Sequence, residues 1–262
     1  MPKSIITLTT DFGSGSPYVG AMKGAILSIA AEASIVDLTH DIPAQDIRQG
    51  AVSLAATTPT FPKGSIHVAV VDPGVGTERC LVYASIGDQH YLAPDNGLLD
   101  RLARHCAPDK IIALTNAEFW RSEISSTFHG RDILAPVAAH LSQGIAVDVL
   151  GDPLPELISL EWPEVQVTES SIVGVIESID SFGNLITNIS DDALGDVPRD
   201  DSVRILCDEH ETNGIFNAYG DQPPMTLLAL VGSGGMLELA IVDDSAVAML
   251  NVKVGTAVSL TW

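Results

Sequence analysis

The segment VVDPGVGTERC, residues 70–80, brackets a turn-forming Pro-Gly-Val-Gly stretch with an acid, Asp72, and a base, Arg79. Turn chemistry accounts for Pro73, Gly74 and Gly76 but does not call for the two charges. The segment reads either as a charged tight turn or as the floor of an active site. His129 stands in FHGRD, ahead of an expected helix whose first turn holds Arg131 and Asp132. A histidine there can serve as a base or as a neutral donor whose proton affinity the helix dipole lowers; a structural hydrogen bond is the commoner role of a lone histidine. Asp11, in TTDFG, precedes the glycine-rich FGSGSP. Its two acceptor oxygens match the paired hydroxyls of a ribose, and capping of a turn or of the next helix is an equal alternative.

Further polar groups collect in APDNGLL, with Asp95 and Asn96, and in STFHGRD, with Ser126 and Thr127 beside His129. LTHDIP, with His40 and Asp41, is a secondary candidate. Towards the C-terminus, SIDSFGNLITNI sets Asp180, Asn184 and Asn188 about an aromatic-glycine turn, and LVGSGGMLELA sets Ser233 and Glu238 about another. Hairpin chemistry explains both turns, although a purine edge or an amino-acid group would find donors and acceptors there. Neither GxGxxG nor GxxxxGK[ST] occurs, so a nucleoside suits the chain better than a nucleotide. HxH, HExxH, DxD and GxSxG are also missing, and Cys80, Cys106 and Cys207 have no ligand spacing. No metal, no cofactor and no serine-hydrolase chemistry are expected.

The elements that must carry these groups change character along the 262 residues. Up to residue 150, β-branched runs alternate with helical periodicity. SIITLTT, SIVDLT, SIHVAV, the pair CLVYASI and HYLAP about a GDQ turn, and KIIALT read as strands. Helices are expected near 18–31, 47–56, 96–105 and 131–143. This alternation predicts an α/β domain with a mostly parallel central sheet, whose strand-end loops are where ligands bind. Residues 151–169, rich in proline and glutamate, read as a linker. Residues 170–262 hold short strands at close intervals and read as a smaller all-β, barrel-like domain.

The formal charge of −21, with only 13 Lys and Arg, argues against nucleic acid as partner; such a field would attract a cationic small molecule, although an acidic surface that provides solubility is the commoner case. No apolar run is long enough to span a bilayer, and the polar turn after TLTT comes too early for a signal peptide. The expectation is a soluble cytoplasmic protein without a membrane partner.

Taken together and in order, TTDFG, VVDPGVGTER, APDNGLL, TFHGRD and DSFGNLITNI resemble the S-adenosylmethionine hydrolases, hydroxide adenosyltransferases related to the fluorinases and chlorinases. The resemblance runs from Ile5 to about Val258. It implies attack of water or hydroxide on C5′ of S-adenosyl-L-methionine, giving adenosine and L-methionine, with Asp72, Arg79 and His129 as the catalytic set. It further implies that Asp11 holds the ribose hydroxyls, that Asp180, Asn184 and Ser233 contact the methionine and adenine ends, and that Tyr18, Asn96 and Glu238 fall at substrate contacts. Members are homotrimers with each site between the first domain of one subunit and the barrel of its neighbour, so the second domain would complete the pocket. A halogenase of the same family would carry an inserted loop, for which 61–72 leaves no room, and would lack the Arg and His. A non-catalytic nucleoside or S-adenosylmethionine sensor would keep the pocket without the water-activating set. Gly234-Gly235-Met236 departs from relatives that place an aromatic beside the glycine.

Overall fold

IITLTT forms β1 (Ile5–Thr10), buried from its second residue onward, as expected of a β-branched central strand. It leads through a glycine loop to α1 (Pro17–Ile29), which starts with proline at its first position and is capped by the Ser16 side chain accepting from the Tyr18 amide. There follow β2 (Ser34–Thr39), α2 (Ile47–Thr57) with Asp46 as cap, β3 (Ile66–Val70), the hairpin of β4 (Leu81–Ile86) and β5 (Gln89–Pro94), α3 (Asp100–His105), β6 (Lys110–Leu114), α4 (Ala135–Ser142) and β7 (Gly151–Pro153). This computed structural model describes residues 4–262, and the chain divides into two compact units, one ending at Leu160 and the other running from Glu161 to Trp262.

The sheet of the first unit has the order β2-β1-β3-β5-β4-β6-β7. It is mixed rather than mostly parallel: β1 pairs in parallel with β2 and β3, and β3 with β5, whereas β4–β5, β4–β6 and β6–β7 are antiparallel. The cause is the hairpin. A short turn at Gly87-Asp88 returns the chain beside itself, and β6 then docks on the outer side of β4. β6 nevertheless runs in the same direction as β1, β2, β3 and β5. Helices cover both faces of the sheet. Met22 and Ile26 of α1 and Leu134 and Ala138 of the α4 segment pack on Ile6, Leu8, Val68 and Val70; Leu54 of α2 and Leu102 beyond it pack with Val71, Val82 and Leu98.

Two helix starts differ from expectation. Asn96-Gly97 forms a turn, with Gly97 at φ +97°, and α3 begins only at Asp100. The segment expected to open as an α-helix at Arg131 instead begins with a π-helical turn, Gly130–Leu134, before α4.

In the second unit β8 (Gln166–Val167), β9 (Ser171–Ile179), β10 (Leu185–Ser190), β11 (Arg204–Cys207), β12 (His210–Asn213), β13 (Leu227–Val231), β14 (Met236–Ile241) and β15 (Ala257–Thr261) pair antiparallel throughout. Two short helices, α5 (Asp191–Leu194) and α6 (Ala246–Leu250), interrupt them. The order β12-β11-β15-β9-β10-β14-β13 comes close to closing on itself: Thr212 Oγ1 of β12 donates to the Leu227 carbonyl of β13 at 2.8 Å. Alternate residues of β9, Ile172 and Ile176, point inward with Leu185, Leu237, Leu239, Val258 and Leu260 to fill the barrel. No helix among the described residues is long and apolar enough to cross a membrane.

Candidate active site

Asp72 and Asp11 follow neighbouring strands. β1 and β3 pair in parallel with Thr10 opposite Val70, so the two loops leave the same edge of the sheet side by side. After β3 the chain makes two successive turns, Val75 donating to the Asp72 carbonyl (3.2 Å) and Thr77 to that of Gly74 (3.1 Å). Gly76 sits at φ +79°, and a Cβ there would lie 2.2 Å from the Ser126 carbonyl oxygen, so only glycine lets the loop approach the segment before His129.

The turns fold Arg79 back onto Asp72. Its Nε donates to both carboxylate oxygens at 2.8 Å, its Nη2 donates to Oδ2 as well, and the two side chains are only 11% and 5% exposed. The same Nη2 lies 3.0 Å from Nδ1 of His129. A guanidinium has donors only, so Nδ1 is the acceptor and the ring proton resides on Nε2. Burial and the neighbouring Arg79 charge hold the His129 pKa below its usual value, outweighing Asp72 and Asp132. The constellation is thus carboxylate, guanidinium and neutral imidazole in one chain of contacts.

Asp11 Oδ2 accepts from the Gln45 amide at 2.8 Å. Its loop is tied to the end of β2 by the Gly13 amide donating to the His40 carbonyl (2.7 Å), and Thr10 Oγ1 lies 2.9 Å from Nδ1 of His40. His40, the secondary candidate, therefore braces this loop from behind. Tyr18, Phe12 and Phe128 form an edge-on aromatic trio with centroids 5.2–5.8 Å apart, linking the residue after Asp11, the first turn of α1 and the residue before His129. Tyr18 is 56% exposed on this trio. Asn96 uses both ends of its amide locally: Nδ2 donates to the Val71 carbonyl (2.9 Å) and Oδ1 accepts from the Leu98 amide (3.2 Å). It braces the residue before Asp72.

In the second unit Asp180, Asn184, Ser233 and Glu238 line one cavity of about 780 Å³. Asp180 Oδ1 accepts from the Phe182 and Asn184 amides and Oδ2 from Asn184 Nδ2, which closes the aromatic-glycine turn around the carboxylate. Sequence reasoning missed two aromatics in this cavity, Phe182 and Tyr219. Phe182 lies within DSFGN and is 78% exposed at the cavity. Tyr219 donates its hydroxyl to Glu238 Oε2 at 2.9 Å; burial and this bond push its pKa up to about 12. Burial, together with the Asp180 charge, raises the pKa of Glu238. Asp243 and Asp244 also line the cavity, and none of its described lining residues is Lys or Arg, so it suits a cation.

Residues 6–151 match the SAM hydroxide adenosyltransferase N-terminal domain, and residues 174–259 match the C-terminal domain. The chain belongs to the SAM hydroxide adenosyltransferase family. A relative from Salinispora arenicola, named (R)-S-adenosyl-L-methionine hydrolase, is 35% identical over 98% of this chain and 97% of its own length. A fluorinase from Actinopolyspora mzabensis is 25% identical over 99% of this chain and 97% of its own. Among solved structures, a conserved protein from Thermotoga maritima superposes with a TM-score of 0.94 at 34% identity, covering 98% of this chain and all of that one. Within the family the chain thus lies nearer the named hydrolase than the fluorinase.

Proposed function

We infer that the protein hydrolyses (R)-S-adenosyl-L-methionine to adenosine and L-methionine. The observation that carries this reading is the Asp72–Arg79–His129 chain of contacts in a protein one-third identical, end to end, to a named hydrolase of this substrate. In the reaction the water oxygen bonds to ribose C5′ as the C5′–sulfur bond breaks with its electron pair going to sulfur. The sulfonium leaves as a neutral thioether, so no acid is needed at sulfur, and one proton is released from the water. Water is the weak reactant, and the protein's task is to deprotonate and aim it.

With Nδ1 accepting from Arg79, His129 offers Nε2–H as a donor. We assign His129 and the remaining N–H groups of Arg79 to stabilising hydroxide character on the attacking oxygen. Asp72, whose carboxylate Arg79 fixes, is the acceptor for the departing proton. Alignment of that oxygen with the C5′–sulfur bond can lower the barrier by up to roughly 7–11 kcal/mol. Asp11, with Oδ1 free of partners among the described residues, is assigned to the ribose diol, with Tyr18 alongside and Asn96 bracing the reacting loop. Asp180, Asn184, Ser233 and Glu238 are assigned to the amino-acid and adenine ends, where an acidic cavity favours a substrate carrying sulfonium and ammonium charges.

Because these groups are divided between two units, we further propose a homotrimer in which the α/β unit of one subunit meets the barrel unit of its neighbour, with the exposed Tyr18 and Phe182 as contributors to the shared pocket. Three free cysteines accord with a cytoplasmic setting. Incubation with S-adenosyl-L-methionine, with and without chloride and fluoride, should yield adenosine by chromatography under every condition. A 5′-halogenated adenosine would make the protein a halogenase, and bound but unchanged substrate would make it a sensor.

A further inference from the structure

The HGRD segment holds a buried carboxylate, Asp132, at the centre of a charge cluster that the reaction itself does not use. Asp132 is wholly inaccessible, and both of its oxygens are filled: Arg131 donates Nε to Oδ1 (2.6 Å) and Nη2 to Oδ2 (2.8 Å), Arg121 donates Nη1 to Oδ1 (3.1 Å), and the Ser125 amide donates to Oδ2 (2.9 Å). Its backbone is engaged as well, the carbonyl accepting from the Arg121 amide (2.9 Å) and the amide donating to the Phe128 carbonyl (3.1 Å). One residue therefore gathers the whole 121–128 loop. That loop is the one whose Ser126 carbonyl abuts Gly76, inside the turn that carries Arg79. On the other side Gly130, in the π-helical turn, is packed so closely on Val70 of β3 that an added Cβ would lie 3.2 Å from it. Such π turns widen the register of a helix and are often found beside functional groups.

We propose that Asp132 is a positioning residue for hydrolysis: by clamping the 121–128 loop against the Gly76 turn it sets the Arg79–His129 hydrogen bond and hence the tautomer of His129. This rests on the catalytic assignment above. The charged groups facing His129 are Arg79 and Asp72 from the loop after β3 and Asp132 from its own turn; from α1 the titratable neighbour of this segment is Tyr18, edge-on to Phe128. Arg131 also lies over the Phe128 ring, 5.0 Å from its centroid, coupling the cluster to the aromatic trio.

The test compares Asp132→Asn and Arg131→Met with wild type in three measurements: kcat and KM, the acid limb of the kcat profile, and the ring-nitrogen NMR signals of His129, assigned with His129→Gln. For Asp132→Asn, kcat should fall about tenfold or more with KM changed less than about twofold, as a misplacement of catalytic groups predicts. Its acid limb should move to lower pH, since a carboxylate favouring protonated His129 is gone, and the Nε2–H tautomer signature should be lost. Arg131→Met leaves Arg121 on the carboxylate and removes a partly exposed side chain, so it remains informative if Asp132→Asn does not fold; its acid limb should move the opposite way. Unchanged kcat, limb and tautomer in folded variants overturn the proposal. A wild type that makes no adenosine would refute the hydrolase reading; if Asp132→Asn still alters the tautomer, the setting of His129 by Asp132 stands apart from that reading.

Discussion

Arg79 Nη2 and His129 Nδ1, 3.0 Å apart, can share only one proton arrangement: the arginine donates and the imidazole is neutral. Protonating His129 places a second donor opposite the first and breaks the contact. Burial and the Arg79 charge hold the His129 pKa below its ordinary value, so the ring is neutral at neutral pH and charges as pH falls. The kcat/KM profile, which reports the free enzyme, is therefore expected to fall on an acid limb with an apparent pKa under 6.5. A limb above 6.5 would contradict the assignment.

Arg79 holds Asp72 and His129 together, which a point charge cannot do. Arg79→Lys keeps the charge but loses the fork, and Arg79→Ala loses both. Both should lower kcat, the alanine variant by about 10²–10³-fold, in the range of losing a preorganised donor. KM should move little. Steady-state kinetics that showed weakened affinity at intact kcat would relocate Arg79 to substrate binding.

Tyr219→Phe removes the hydroxyl that donates to Glu238. That bond lowers the Glu238 pKa against the burial that raises it, so the pKa climbs further in the variant. KM should rise several-fold, because a Glu238 that ionises less readily attracts the cationic substrate less. The increase should grow as pH falls, because protonated Glu238 no longer attracts a cation. Isothermal titration with substrate or methionine across pH 5–8 (about that span suffices for a raised carboxylate) reads this directly.

Stability should carry its own pH signature. His67 is buried between Thr7 Oγ1 and Gln89 Oε1, each 2.7 Å away, and burial lowers its pKa to about 4. An unfolded chain binds a proton there near 6.5, so between about 6.5 and 4 the unfolded state holds more protons and folding weakens as pH falls. The loss is on the order of 3 kcal/mol at full extent and is absent at neutral pH. Denaturant melts of His67→Gln should lack this component; an unaltered acid slope would show that another group causes it.

Much of this was legible in the sequence because strand-end loops announce themselves: Asp11 of TTDFG and Asp72 of VVDPGVGTER each come just after a β-branched run, and the structure sets them in the loops beyond two paired strands. What periodicity does not encode is partner choice. CLVYASI and HYLAP read as a hairpin and KIIALT as a strand, yet nothing in them says that the hairpin will lie inside the sheet with β6 on the outer side of β4, which makes an expected mostly parallel sheet a mixed one. The bracing role of Asn96 was hidden for a similar reason, since its partner is a main-chain carbonyl 25 residues away. Tyr219 went unseen because its neighbours, NAYGDQ, look like any polar turn; only the fold of β14 brings Glu238 beneath its hydroxyl.

The parallel pairing of Thr10 with Val70 also acts as a ruler. Adjacent strands lie about 4.8 Å apart, so the loops bearing Asp11 and Asp72 spring from points separated by roughly the width of one furanose ring. Under the proposed assignment, with the ribose diol at Asp11 and the reacting carbon beside Asp72, this spacing suits a single ribose. Under the same assignment the distance between the two ends of the sugar is set by the backbone ladder rather than by a side chain.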